Sequence, residues 1–85
     1  MTNSQKQAVL QKVIDWVFYH KTARNSPKFV RRHAIQAVAE AMAKEVTGSY
    51  GLIVLAKKDM LAIASATGGT YVSTKGPGNL AEIRY

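Results

Sequence analysis

The sequence predicts an α+β fold, three helices followed by a C-terminal β-hairpin, on three observations. Apolar residues recur at three- and four-residue spacing from Leu10 to Phe18 and again from Val30 to Met42. Glycines stand where helices should end, at Gly48 and at Gly68-Gly69. Beyond them, β-branched and alternating residues flank Lys75-Gly76-Pro77-Gly78-Asn79, which is a turn by composition.

The first helix spans roughly residues 4 to 20. Thr2 or Ser4 supplies an N-cap, and Gln5 or Gln7 three positions later completes a capping box. Leu10, Val13, Ile14, Val17 and Phe18 form the apolar stripe, Trp16 widens it, and Gln7, Gln11, Lys12 and Asp15 form the wet back. By spacing, Trp16, Phe18 and Phe29 belong to the core. The pattern fades through His20 to Asn25, so a loop follows.

Ser26-Pro27 predicts the start of the second helix, because Ser caps free amides and Pro at the first helical position loses no hydrogen bond. This helix runs from Pro27 to about residue 46, with Val30, Ala34, Val38, Ala41 and Met42 on its apolar stripe and Phe29, Ile35 and Ala37 beside it. Gly48 closes it.

Leu52 to Leu55 has the composition of a strand, yet Ile53, Ala56, Met60, Ile63 and Ala64 fit a helical stripe. Length favours one helix of about 52 to 66; the rival is a short strand followed by a helix capped by Asp59. A hairpin over residues 70 to 85 ends the chain, with Ala81, Ile83 and Tyr85 on one face of its second strand.

The chain has 85 residues, enough for a single small core over 1–85 that dimerisation would naturally supplement. Its 47% hydrophobic and 20% charged composition is that of a folding chain. Without Cys there is neither a disulfide framework nor a thiolate metal site, which makes a reducing cytoplasm the expected compartment. No stretch has the length or composition of a signal peptide or a membrane span.

Twelve Lys and Arg against five Asp and Glu leave a net charge of +7, which points to an anionic partner. Five of the twelve cations, Lys21, Arg24, Lys28, Arg31 and Arg32, fall between residues 21 and 32, and no acidic residue lies between Asp15 and Glu40. A solvated face is one account of such a run. In a helix that begins at Pro27, however, Lys28, Arg31 and Arg32 occupy the first turns, where the helix dipole disfavours cations by a few tenths to about 1 kcal/mol each. Free amides flanked by Lys and Arg attract phosphate, which outweighs that cost once the anion is present. Lys57 and Lys58 on the third helical segment and Lys75 on the hairpin tip add further cations.

This order of elements resembles the winged helix-turn-helix family of DNA-binding proteins. The likeness covers roughly residues 4 to 85 and rests on the helical order, on Lys57-Lys58, and on the wing-like TYVSTKGPGNLAEIRY. It implies a winged-helix-like fold in which Arg31 and Arg32 abut backbone phosphates while the helix of Lys57 and Lys58 enters the major groove.

Catalysis and cofactors are not indicated. The carboxylates are scattered singly, His20 and His33 lack partners at metal-ligand spacing, and no phosphate-loop or nucleophile-elbow string occurs. The expected function is a small DNA-binding regulator, acting as a homodimer on double-stranded DNA. Arg24, Lys28, Arg31 and Arg32 hold phosphates, Lys57 and Lys58 lie at or in the groove, and Lys75 reaches a neighbouring phosphate or the minor groove. Two alternatives remain open. One is an interaction module or inhibitor, of the kind mobile elements encode, whose basic face takes an acidic protein. The other is an RNA-binding domain using Gly48-Ser49-Tyr50-Gly51, which superficially resembles the backbone clamp of KH domains.

Overall fold

A computed structural model describes residues 1–49, 53–73 and 81–85 of the chain. Its elements run α1 (Asn3–Thr22), β1 (Phe29–Arg31), α2 (Arg32–Thr47), α3 (Lys57–Thr67), β2 (Thr70–Ser73) and β3 (Ala81–Arg84). The strands form one antiparallel sheet in the order β1-β3-β2. This is an α+β architecture compatible with a winged helix.

α1 opens with a capping box: Thr2 Oγ1 accepts from Gln5 N at 3.1 Å, and Gln5 Oε1 accepts from Thr2 N at 2.9 Å. Val9, Val13 and Val17 are fully buried along it, with Leu10, Ile14 and Trp16 packed against the core they enter. Phe18, expected in that core, is instead 40% exposed, because it falls on the edge of the stripe and Lys21 Nζ sits 5.0 Å from its ring centre.

The second helix begins five residues later than the Ser26-Pro27 signal predicts. Phe29, Val30 and Arg31 pair with Arg84, Ile83 and Glu82 as β1, a long-range match that local propensity cannot anticipate. The sheet therefore has three strands where a two-stranded hairpin is expected. Lys28 precedes that strand, Arg31 is the N-cap of α2, and Arg32 is its first residue. The buried stripe of α2 also differs: Ile35, Ala39 and Ala43 are buried, while Ala37 and Ala41 are exposed. With every fourth residue buried on both helices, α1 valines meet α2 alanines, and ridges of this spacing interdigitate closely when the side chains are small. Gly48 ends α2 at φ +74°, a left-handed conformation that its missing Cβ permits.

The third helix begins at Lys57, so the continuous helix over 52 to 66 is not formed. Residues 53 to 56 are outside any helix or strand, alternating buried Ile53, exposed Val54 and buried Leu55, and Leu52 lies outside the described residues. Two side chains of α2 hold this segment by its backbone. Gln36 Nε2 donates to Ile53 O while its Oε1 accepts from Leu55 N at 3.1 Å, and Arg32 Nη2 donates to Leu55 O at 2.6 Å. Buried peptide groups that a helix would pair internally are paired here from a neighbouring helix. The N-cap of α3 is Ala56 rather than Asp59, which is the third helical residue and accepts from Ala56 N through Oδ2 at 2.9 Å.

β2 leaves α3 through Gly68 and Gly69, and the hairpin expected over 70 to 85 forms, with Tyr71 opposite Ile83 and Val72 opposite Glu82. Its tip, including Lys75, and the expected strand position of Leu80 lie outside the described residues. Val30 and Ile83 point inward from the sheet onto Ile35, Leu55, Met60 and Ile63, completing the core. None of the described helices is long and apolar enough to cross a membrane.

Candidate nucleic-acid interface

The cationic run from Lys21 to Arg32 is divided by the fold into two groups. One surrounds the C-terminal end of α3. Lys21 Nζ donates to Thr67 O at 2.6 Å and lies 5.1 Å from the ring centre of Tyr85, whose backbone N donates to Lys28 O at 2.9 Å. A cation on the last carbonyls of α3 complements that helix's dipole, so Lys21 serves the fold. Lys28 belongs to this end through its carbonyl's bond with Tyr85 N, and both Lys28 and Arg24 are exposed.

The other group lies where α2 and α3 begin. The Arg32–Leu55 hydrogen bond joins the first residue of α2 to a residue two positions before α3, the helix that opens with Lys57 and Lys58. Arg31, Lys57 and Lys58 are exposed. Arg32 is partly buried, with one guanidinium nitrogen committed to Leu55 O; its role in the fold has no signal in the sequence. Sheet register sets which end of the β2–β3 pair lies toward Arg31. One cross-sheet row is Phe29, Arg84 and Thr70; the next is Val30, Ile83 and Tyr71, then Arg31, Glu82 and Val72, and beyond it come Ala81 and Ser73. Ser73 and Ala81, which flank residues 74–80, therefore lie at the Arg31 end of the sheet.

Among the described residues, the ion pairs Lys6–Asp59, Lys12–Glu45 and Arg84–Glu82 all lie outside residues 21–32 and outside Lys57-Lys58. Arg31 has Glu82 as its cross-strand neighbour, but that carboxylate is 3.4 Å from Arg84, while the Arg31 guanidinium lies over the Phe29 ring at 5.4 Å. Asp59, at the start of α3, is 5% exposed and turned inward to Ala56 N and Lys6. Exposed Arg31, Lys57 and Lys58 are thus not neutralised by a described carboxylate. A groove of about 540 Å³ between α1 and α3 is lined by Asn3, Lys6, Leu10 and Lys58.

His20 stacks on Trp16, with ring centres 5.1 Å apart, and His33 is exposed. No group of three His, Cys, Asp or Glu able to hold a metal occurs among the described residues. In Gly48-Ser49-Tyr50-Gly51, Gly48 is the C-cap of α2, and Tyr50 and Gly51 lie outside the described residues. No family model, curated protein or solved structure matches the chain.

Proposed function

We propose that the protein binds double-stranded DNA as a winged-helix-like module, using phosphate contacts from the joined starts of α2 and α3. The observation that carries this reading is that exposed Arg31, Lys57 and Lys58 lie at the starts of two helices linked by the Arg32–Leu55 hydrogen bond, none of them in an ion pair with a described carboxylate. The first-turn amides, the dipoles and the cations there all favour the same anion. The element order and the β1-β3-β2 sheet support the winged-helix comparison, since they supply a strand between the first two helices and a hairpin after the third. In this reading α3 faces the groove, and Arg31 and the free donors of Arg32 hold the backbone beside it. Lys28, near the other end of α3, makes at most a peripheral phosphate contact, and exposed Arg24 adds a further one.

The test is a titration of labelled duplex DNA, single-stranded DNA and RNA with the full chain at two salt concentrations. Duplex DNA should bind most tightly, with log K falling linearly against log salt concentration. Preference for RNA, or no duplex retained at low salt, would remove the assignment.

A further inference from the structure

We infer that two copies of this chain pair edge to edge through β2, joining their sheets antiparallel across a two-fold axis. Among the described residues β2 pairs with β3 alone, so in the order β1-β3-β2 its outer row of backbone donors and acceptors has no strand beside it. Such a row templates another strand unless charge, proline or a bulge blunts it.

The two edges of the sheet differ in their protection. At the β1 edge cations stand along the strand: Lys28 precedes Phe29, Arg31 ends the strand and Arg32 follows it, with Lys28 and Arg31 exposed. Charges so placed keep a second strand away. The β2 edge has no such guard. Thr70, Tyr71, Val72 and Ser73 carry no charge, and neither proline nor glycine falls among them. Two cations beside this strand are engaged elsewhere. Arg84, opposite Thr70, pairs with Glu82, and Lys21, beside Gly68 at the strand's entry, donates to Thr67 O.

Charge selects a second copy as the occupant. The chain carries +7, so two copies repel wherever their cations meet, and contact is least opposed where cations are missing. A two-fold contact brings the same patch from each copy, so an uncharged edge satisfies both at once. An acidic partner, which the net charge would attract, finds nothing on this edge to pair with. β3 separates β2 from Arg31, and the joined sheets keep their cationic edges outermost. The side chains suit the same pairing. With the two-fold axis at Tyr71, that ring lies opposite its counterpart, and Thr70 and Val72 lie opposite each other on the two copies. An aromatic pair flanked by β-branched pairs is a stabilising cross-strand combination. Tyr71, opposite Ile83, is only partly buried against the core of one copy, and a second strand covers more of it. A chain of 85 residues, with one small core, gains stability from such a joint.

The experiment is sedimentation equilibrium of the full chain over a series of concentrations, beside the double variant Thr70→Lys, Ser73→Lys, which puts a cation at each exposed end of β2. The parent should approach twice the chain mass as concentration rises, and the double variant should stay at the mass of one chain. Amide hydrogen exchange of the parent at low and high concentration needs no variant, and it decides the matter should the double variant fail to fold. Protection within residues 70–73 should rise with concentration while that of β1 stays constant. A parent that keeps the mass of one chain throughout overturns the inference. So does a folded double variant that still doubles its mass, or a rise in protection confined to other elements.

Discussion

Arg32 Nη2 lies 2.6 Å from Leu55 O, a charge-assisted hydrogen bond that ties the first turn of α2 to the lead into α3. The bond is partly buried, so removing the donor leaves a carbonyl unsatisfied where water is scarce. Arg32→Ala should destabilise the fold by about 1.5–3 kcal/mol in urea unfolding. Arg31→Ala removes only an exposed guanidinium over Phe29 and should cost less than about 1 kcal/mol. Equal destabilisation of the two variants would mean that Arg32 does not act as this tie.

Affinity should divide the other way. Lys57→Ala and Lys58→Ala remove exposed ammonium groups at the start of α3, and neither pairs with a described carboxylate. Each variant should unfold like the parent and bind duplex DNA more weakly whatever its sequence. The slope of log K against log salt concentration should flatten by about 0.9 for each phosphate that is no longer neutralised. An unchanged slope in the double variant would place the phosphates elsewhere on the protein.

What the sequence makes legible follows from how local the determinants are. The Thr2–Gln5 box lies three residues apart in the chain and forms as the pattern predicts, and Gly48 and Gly68 end their helices for a reason local to each. The start of α2 is hidden because Phe29 to Arg31 becomes a strand only by pairing with Glu82 to Arg84, some fifty residues away. Residues 53 to 56 mimic a helix because Ile53, Met60 and Ile63 keep helical spacing across a joint whose backbone bonds come from Arg32 and Gln36. The charge cluster is equally visible in the sequence. Its division is not, since Lys21 and Arg32 turn inward toward carbonyls at Thr67 and Leu55 that composition gives no reason to pair with them.

Gly69 is required for a different reason from Gly48. A Cβ added at residue 69 would lie 2.5 Å from Ile83 Cγ2 and 2.6 Å from Tyr85 Cε1, so the backbone entering β2 passes directly against β3. Ile83 is fully buried and cannot swing aside. Gly69→Ala should therefore destabilise by about 1–3 kcal/mol, the range for overpacking a tight core. At Gly48 an added Cβ meets nothing within 4 Å, and only the left-handed φ of +74° is strained, so Gly48→Ala should cost about 1–2 kcal/mol. Gly48→Asn separates the two causes: Asn tolerates the left-handed region and should recover much of that stability, whereas Gly69→Asn should fare no better than Gly69→Ala.

Tyr85 links the end of the sheet to α3 through Thr67, and burial raises its phenol above the ordinary value of 10.0, opposed by the Thr67 hydrogen bond. The sign of the effect on stability follows directly. The folded chain holds the phenolic proton more tightly than the unfolded chain, so the contribution of Tyr85 is fully present below the unfolded pKa and is lost as pH rises through the folded one. Tyr85→Phe removes this titration. It also removes one hydrogen bond, but leaves Thr67 donating to Ile63 O, so the variant should be slightly less stable than the parent near neutrality. Above about pH 10 the gap should narrow, because only the parent loses stability through this phenol while every other titrating group is common to both chains. Thermal unfolding of the two chains across that interval reads the difference; curves that stay parallel would show that Tyr85 does not carry the linkage.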